Sequence, residues 1–254
     1  MKLSFYGLSD VGRKRDKNED SFLIDEELGI FMVADGMGGH LGGEYASQMA
    51  VKTVEEVLRR FRQDPGVLQD LPVKGQLTAG DELKYSISLA SKRIYREANR
   101  VQTLRGMGTT TVAIRIHDDK GYIANVGDSR AYLIRPPEIQ QLTIDHSLVT
   151  EQLAAGFITE SEVKNHKLKN IITRSVGFQD DVEVDLVVRD LEENDNFLLC
   201  SDGLTNLVSN KEIVKVVTKN RSRDSKSICE NLIQLANQKG GDDNVTVIFV
   251  SVKA

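Results

Sequence analysis

The amino-acid sequence predicts an α+β fold built on antiparallel sheets. Apolar runs of strand length follow one another in blocks, and the two strongest helical patterns form a consecutive pair. Such blocks favour hairpins and meanders, whereas a parallel sheet needs a crossover, usually a helix, between its strands. The 254 residues contain no internal repeat, low-complexity tract or linker, so we expect one domain over residues 1–254.

The N-terminal part begins with strands and continues with the helix pair. Strands are predicted over residues 3–8, 22–24 and 30–34. Apolar residues at three- and four-residue spacing then predict helices over 46–61 and 83–101. Prolines and glycines predict a loop over about 64–80, between the two helices: Pro65, Gly66, Pro72 and Gly75.

The C-terminal part combines strands with shorter helices. Strands are predicted over 110–116, 121–126, 131–134, 182–188, 197–200 and 245–252. A hairpin connection at residues 118–121 joins the first two, and Pro136-Pro137 ends the third. Helices are predicted over 211–218 and 225–239. The polar segment 147–170 is expected to be mostly helical.

Bulk properties argue against several classes of protein. The net charge of −5 argues against nucleic-acid binding, which needs a basic face. Two cysteines, Cys200 and Cys229, are too few for a disulfide framework. No apolar stretch approaches the roughly 20 residues of a membrane span, and the short N-terminal stretch is too soon polar for a secretory signal. We expect a cytoplasmic monomer.

Five aspartates far apart in the chain sit beside small or turn-forming residues. Four follow or nearly adjoin a predicted strand and the fifth precedes one: Asp20, Asp35, Asp128, Asp202 and Asp243. Carboxylates at strand ends can converge in space, where they repel each other unless cations neutralise them. Oxygen ligands favour hard ions such as Mg²⁺ or Mn²⁺. The sequence therefore predicts a carboxylate-built metal site with more than one ion.

Taken singly, each motif also has a simpler interpretation. Asp128, Asp202 and Asp243 suit β-turns in which an aspartate caps its own backbone. The glycine-rich turn 35–39 could cradle a phosphate or offer a carbonyl to a cation, but it matches neither a dinucleotide fingerprint nor a P-loop. Zinc-binding patterns and a serine-nucleophile elbow do not occur in the sequence.

Two residue types are candidates for handling a phosphate and a proton. Arg15 is a candidate phosphate ligand because a guanidinium binds phosphate bidentately and stays charged. The alternative is a surface arginine in a basic cluster with Arg13, Lys14 and Lys17. His40 and His146 are candidate proton donors, and the alternative for each is a structural hydrogen-bonding role.

In combination and in this order, the motifs resemble the metal-dependent protein phosphatase family (protein phosphatase 2C, PPM), and its bacterial serine/threonine branch in particular. The series is Arg15-x-x-Asn18-Glu19-Asp20, Asp35-Gly36-Met37-Gly38-Gly39-His40, Gly106-Met107-Gly108-Thr109-Thr110, Gly127-Asp128-Ser129-Arg130, Ser201-Asp202-Gly203 and Gly241-Asp242-Asp243-Asn244. Leu142-Thr143-x-Asp145-His146-Ser147 also resembles the bacterial branch, and the likeness runs from about residue 3 to 252.

The resemblance implies a fold and an activity. The implied fold is a sandwich of two antiparallel β-sheets with a helix pair on each outer face, in α-β-β-α layers. The implied activity is hydrolysis of phosphoserine and phosphothreonine in proteins by a water activated between two Mg²⁺ or Mn²⁺ ions. The implied partners are phosphorylated protein substrates and a cognate serine/threonine kinase.

The resemblance also implies roles for individual residues. Asp35 would bridge the two ions, Gly36 would give its carbonyl to one, and Asp202 and Asp243 would complete direct ligation. Around this core, Asp20 and Glu19 would act largely through waters. Asp128 would hold a third, weaker ion together with Asp202, and Arg15 would bind the substrate phosphate. Residues from about 147 to 170 would form a flap beside the site.

One position departs from the animal members of the family. They carry a histidine, a proposed general acid, directly after the Asp-Gly pair, where this chain has Met37 and the nearest histidine is His40. The proton donor is therefore His40 or a metal-bound water. Two other functions are weighed: a silent phosphoprotein-binding module, which would have lost ligands, and a two-metal phosphodiesterase or nuclease, which the acidic charge disfavours.

Overall fold

The computed structural model describes residues 2–38, 41–64, 77–163, 166–219 and 224–253. Two antiparallel sheets stack face to face, and helices cover the outer face of each. This α-β-β-α arrangement confirms the predicted fold class. Within the described ranges, no helix is long and apolar enough to cross a membrane.

The first sheet has the strand order β1-β11-β10-β7-β8. Its strands, in chain order, are β1 (Lys2–Asp10), β7 (Arg130–Arg135), β8 (Glu138–Gln141), β10 (Asn196–Cys200) and β11 (Val245–Lys253). The strand β11 pairs antiparallel with the N-terminal β1 and with β10, so the two ends of the described chain lie side by side.

The second sheet has the strand order β2-β3-β5-β6-β9, with the two-residue β4 attached to β3. Its strands are β2 (Asp20–Asp25), β3 (Ile30–Met37), β4 (Gly108–Thr109), β5 (Thr111–His117), β6 (Lys120–Val126) and β9 (Asp185–Asp190). Asp118 and Asp119 join β5 to β6 with positive φ angles, which confirms the hairpin predicted there.

Seven α-helices lie within the described ranges. They are α1 (Gly42–Gln63), α2 (Ala79–Arg100), α3 (Leu148–Ala154), α4 (Glu160–Val163), α5 (Asp202–Thr205), α6 (Asn210–Lys219) and α7 (Ser225–Gln238). The start of α2 is fixed by a capping box, in which Thr78 Oγ1 accepts from the backbone N–H of Asp81 and the Asp81 carboxylate accepts from that of Thr78. Asp224 caps α7 in a similar way, by accepting from the Ser227 N–H.

Three apolar layers hold the sandwich together, and central strands such as β3 and β11 are buried on both faces. In β3, Phe31 and Val33 point between the sheets, while Ile30 and Met32 pack under α1 and α2. The same alternation in β11 divides its apolar residues between the inter-sheet core and the layer under α6 and α7. Such a strand shows an unbroken apolar run in the sequence, because both of its sides are covered.

The structure corrects some of the expected elements. The polar segment 147–170 is not mostly helical: it holds the short helices α3 and α4 with turns between them, because it has few apolar residues to anchor a longer helix. The strand expected over 182–188 begins at Asp185. The predicted loop 64–80 lies largely outside the described residues, and α2 already begins at Ala79.

Candidate metal centre

Strand pairing brings the first two predicted ligands together. Asp20 opens β2 and Asp35 lies near the end of β3, and the two are direct Cα partners in the antiparallel register. Side chains of direct partners stand on the same face of a sheet, so the two carboxyl groups share one surface. Residues that are distant in the sequence thus become neighbours without a dedicated loop.

Among the described residues, only one of the two carboxylate oxygens of Asp20 accepts hydrogen bonds. Its Oδ2 accepts hydrogen bonds from Thr246 Oγ1 at 2.6 Å and from Ser201 Oγ at 2.9 Å. Its Oδ1 is buried and has no hydrogen-bond partner among the described residues. A buried carboxylate oxygen without a donor is costly unless a cation or ordered water meets it.

The backbone at Asp35 and Gly36 is fixed from both sides. The carbonyl of Asp35 accepts from the Thr110 N–H at 2.8 Å, and the Asp35 N–H donates to Thr110 Oγ1 at 3.0 Å. At Gly36, an added Cβ would lie 2.1 Å from the carbonyl oxygen of Gly43 at the start of α1. Only glycine lets α1 approach this closely, which explains the glycine after Asp35.

Three more aspartates reach the same surface from turns next to other strands. Asp202 follows β10 at the start of α5, where its Oδ2 accepts from Asn206 Nδ2 at 2.9 Å. Asp243 precedes β11, and Asp128 sits in the turn between β6 and β7, where its Oδ1 is buried without a partner within the part of the chain that is described.

Burial and mutual repulsion raise the pKa values of several carboxyl groups in the cluster. Burial, opposed by hydrogen bonds from Thr246 and Ser201, raises the pKa of Asp20 to about 7, and burial with the charge of Asp202 raises the pKa of Asp128 to about 7. Burial and four neighbouring aspartates raise the pKa of Asp35 well above its usual value. Burial and the charge of Asp243 also raise the pKa of Asp202. Carboxyls that repel each other this strongly are neutralised by protons or by cations.

These residues fit hard divalent cations. The donors are carboxylates with a glycine carbonyl beside them. Two buried oxygens, one on Asp20 and one on Asp128, have no partner among the residues that the structure describes. Within the described ranges, no three His, Cys, Asp or Glu side chains are already arranged to hold one ion directly. Some ligand oxygens are engaged elsewhere, as on Asp202, so direct ligation requires those contacts to be exchanged for the ion.

Arg15 and Glu19 also lie at the cluster. Arg15 Nη2 donates to Asp243 Oδ2 at 2.7 Å, so the predicted phosphate ligand is paired with a predicted metal ligand. The Glu19 carbonyl accepts from the Gly36 N–H at 3.2 Å, and its carboxyl lies close to Gly43. Burial, opposed by the nearby Arg15, raises the pKa of the Glu19 carboxyl.

Four of the five aspartates, Asp35, Asp128, Asp202 and Asp243, form one wall of a cleft of about 850 Å³, and Asp20 is not among the described residues that line it. Residues 172–175, 178–179 and 181–183 supply the facing wall, with Arg174 and the 66% exposed Phe178 among them. Of the described part of segment 147–170, Asn170 is the residue that lines the cleft. The sequence does not predict these residues as part of the site, because Arg174 and Phe178 belong to no recognisable motif.

The two candidate histidines have different outcomes. His40 lies outside the described residues. His146 is buried, with both ring nitrogens hydrogen-bonded, and it is not among the described residues that line the cleft. This geometry supports a structural role for His146 and not the proton-donor role. Sequence reasoning also missed the hydroxyl groups of Ser201 and Thr246, which hold Asp20.

The chain matches the family model described as protein phosphatase 2C over residues 14–245. It belongs to the protein phosphatase 2C family. Among its relatives, serine/threonine phosphatase stp of Listeria monocytogenes serovar 1/2a is 39% identical over 245 residues, which cover 95% of this chain and 93% of the relative. The family predicted from the ordered motifs is therefore confirmed.

Solved structures of bacterial serine/threonine phosphatases share the fold. The Streptococcus agalactiae serine/threonine phosphatase has a TM-score of 0.86 and 37% identity, with 99% of this chain and 100% of that chain covered. The catalytic domain of the serine/threonine protein phosphatase PstP, solved in complex with two manganese ions, has a TM-score of 0.82 and 32% identity, with 99% of each chain covered. The described carboxylate cluster thus sits in a fold that holds divalent metal in a relative.

Proposed function

We propose that this chain hydrolyses phosphoserine and phosphothreonine in proteins, with two divalent cations held by its aspartate cluster. The observation that carries the proposal is the convergence of Asp35, Asp128, Asp202 and Asp243 at one cleft, with Asp20 paired directly to Asp35 behind them. Two buried carboxylate oxygens of this cluster, on Asp20 and Asp128, lack a partner among the described residues. Carboxylates that repel each other favour bound cations, and the open cleft beside them would let those cations contact a substrate. Membership of the protein phosphatase 2C family supports this chemistry.

Each residue of the cluster receives a role in this proposal. Asp35, Asp202 and Asp243 would hold the two ions through their carboxylates, Asp35 between them, and Gly36 would offer its carbonyl. Bound divalent ions supply an acidified water for in-line attack and neutralise charge on the phosphoryl oxygens. Asp20 and Glu19 orient the surrounding water. Serine, cysteine and histidine nucleophiles are not required, since the attacking group is water.

Arg15 is the proposed ligand of the substrate phosphate. Its guanidinium is 51% exposed at the cleft, where it has donors to spare beyond the bond to Asp243. A cation bound to Asp243 would compete with Arg15 for that carboxylate. The guanidinium of Arg15 would then be released to bind a phosphate. His40 remains the proposed proton donor to the leaving alkoxide, a role that rests on the sequence alone.

The finer assignments belong to the same proposal. The ions are Mn²⁺ or Mg²⁺, and a third, weaker ion is held by Asp128 together with Asp202. Residues from about 147 to 170 act as a flap, and a single domain spans residues 1–254. The substrates are phosphorylated proteins, the opposing enzyme is a serine/threonine kinase, and the protein works in the cytoplasm as a monomer without binding nucleic acid.

The experiment that tests the function compares two classes of substrate. Purified protein is assayed with Mn²⁺ on phosphoserine and phosphothreonine peptides and on bis-p-nitrophenyl phosphate, and each assay is repeated after EDTA. We expect rapid, EDTA-sensitive release of phosphate from the peptides and little cleavage of the diester. Faster cleavage of the diester would indicate a phosphodiesterase, and binding of phosphopeptides without turnover would indicate a silent binding module.

A further inference from the structure

His146 is hydrogen-bonded to the backbone of the turn that carries Asp128. The backbone N–H of Gly127 donates to His146 Nδ1 at 3.0 Å, and the backbone N–H of His146 donates to the Gly127 carbonyl at 2.9 Å. The N–H and the carbonyl of Gly127 are therefore both hydrogen-bonded to His146. Gly127 has a φ of +105°, and an added Cβ would lie 2.7 Å from Thr110, so the turn requires glycine at this position.

The other ring nitrogen of His146 connects this turn to the facing wall of the cleft. Nε2 lies 3.2 Å from Asp185 Oδ2, and Asp185 Oδ1 accepts from Arg174 Nη1 at 2.6 Å. The backbone makes a second connection, because the N–H of Thr173 donates to the carbonyl of His146 at 2.9 Å. A continuous set of contacts thus runs from Asp128 to Arg174, which lines the cleft.

These contacts select one form of the imidazole ring. A backbone N–H can only donate, so Nδ1 must accept and carries no proton. Asp185 is a carboxylate that accepts, so Nε2 carries the proton and donates. His146 is 7% exposed, so water has little access to replace either partner.

We infer that His146 is a positioning residue for the reaction: it fixes Asp128 through Gly127 and ties Asp128 to the Arg174 wall of the cleft. The inference rests on the proposed phosphatase function and deepens it. His146 acts through other residues, because both of its ring nitrogens are engaged away from the cleft. Its contribution is to keep the turn of Asp128 at a constant distance from the wall that faces the substrate.

Two substitutions of His146 each keep one of the two hydrogen bonds of the ring and remove the other. His146→Asn places an amide oxygen near the position of Nδ1, so it can still accept from Gly127 but cannot reach Asp185. His146→Gln places its amide near the position of Nε2, so it can reach Asp185 but leaves the Gly127 N–H without an acceptor. Asp128→Ala serves as the reference for complete loss of the aspartate.

We expect His146→Gln to behave like Asp128→Ala. Its kcat on a phosphothreonine peptide should fall roughly 10- to 100-fold with little change in KM, because a misplaced group slows the reaction more than it weakens binding. Equilibrium dialysis with Mn²⁺ should show the core ions retained and the weakest site weakened. His146→Asn should keep most of the kcat, because it still accepts from Gly127 and the backbone bond from Thr173 to the carbonyl of residue 146 still connects the turn to the wall. Full activity of His146→Gln, or equal losses in both variants, would overturn the inference.

A measurement on the unmodified protein keeps the inference testable if a variant does not fold. Two-bond ¹H–¹⁵N correlation spectra of ¹⁵N-histidine-labelled protein report which ring nitrogen carries the proton, and the signal of His146 is assigned by its loss in His146→Asn or His146→Gln. We expect a neutral ring protonated at Nε2. A ring protonated at Nδ1, or one in rapid exchange between the two forms, would overturn the inference. If the unmodified protein hydrolyses no phosphopeptide, the proposed function fails, whereas this spectrum and the Mn²⁺ dialysis still decide the role of His146.

Discussion

Asp20 combines a fixed position with an incomplete set of partners. Hydroxyl groups from β11 and from the residue before α5 fix one of its oxygens, while the other lies buried without a donor among the described residues. A side chain needed only for stability would gain by satisfying both oxygens. The unsatisfied oxygen is what a cation or its water would complete, which supports the proposed role of Asp20 in a metal site.

The raised pKa values predict how the stability of the metal-free protein depends on pH. The pKa of Asp20 is raised to about 7, so the folded state holds protons that the unfolded state releases near its ordinary value of about 4. Stability should therefore fall as pH rises through this window, and the loss should be complete above about pH 7. In EDTA, Tm should fall from pH 5.5 to 7.5, and less steeply in Asp20→Asn, which cannot ionise. Equal slopes in the two proteins would rule out Asp20 as the titrating group.

Arg15 is predicted to contribute through substrate binding. Arg15→Ala should raise KM, with a loss in kcat/KM equivalent to about 1.5–3 kcal/mol, the value of one charge-assisted hydrogen bond. The matched control is Arg13→Ala, an exposed arginine two residues away. Because Arg15 pairs with Asp243, its removal should not weaken Mn²⁺ binding. Equal effects of the two substitutions on KM would mean a diffuse basic patch.

His40 is predicted to matter according to the leaving group. A general acid helps most when the leaving group is a poor one, such as a serine alkoxide, and least for p-nitrophenolate. His40→Ala should then slow phosphoserine peptide hydrolysis far more than p-nitrophenyl phosphate hydrolysis, measured at saturating Mn²⁺. An equal slowdown on both substrates would favour a structural histidine and leave the proton to a metal-bound water.

At the scale of elements, the site depends on how strands are paired. The register of β2 against β3 sets Asp20 opposite Asp35, and the pairing of β10 with β11 brings the residues after one strand beside the residues before the other. A shift of one residue in either register would send these side chains to the opposite face of the sheet. The apolar core between the sheets is what makes such a shift unfavourable.

This dependence can be measured by a core substitution in β10. Leu199 is fully buried between the sheets, shortly before Asp202. Leu199→Ala should lower the free energy of unfolding by about 2–5 kcal/mol, from lost transfer energy and a cavity. The control is Val188→Ala in β9, which is 44% exposed and should cost less than about 1 kcal/mol. Urea denaturation in EDTA would measure both, and similar losses would contradict the assigned core.

Patterns of apolar residues predicted most of the long elements but not the short ones. The helices α1, α2, α6 and α7 were located from apolar periodicity or helical pattern, and the strands β3, β5 and β11 from their apolar runs, because burial imposes a pattern over many residues. The two-residue β4, the edge strand β8 and the four-residue α5 were missed, since each is too short to show a period. Their places are set by contacts with distant parts of the chain.

At the scale of the molecule, the sandwich brings distant parts of both sheets to one cleft. β2 and β3 of one sheet, the turn between β6 and β7, and the ends of β10 and β11 of the other sheet meet there. The aspartates were predicted because each stands beside turn-forming residues next to a strand, and because their motifs in combination and order resemble one family. The wall with Arg174 and Phe178 was not, because its residues acquire a role only when the chain folds against the cluster.

The most direct test of the central claim removes one carboxylate from the middle of the cluster. Mn²⁺-dependent turnover of a phosphothreonine peptide is compared between the unmodified protein and Asp35→Ala, with circular dichroism to confirm that both are folded. Turnover should fall by several orders of magnitude, because both proposed ions depend on Asp35. Near-normal turnover by a folded Asp35→Ala protein would contradict the assignment of this cluster as the metal centre.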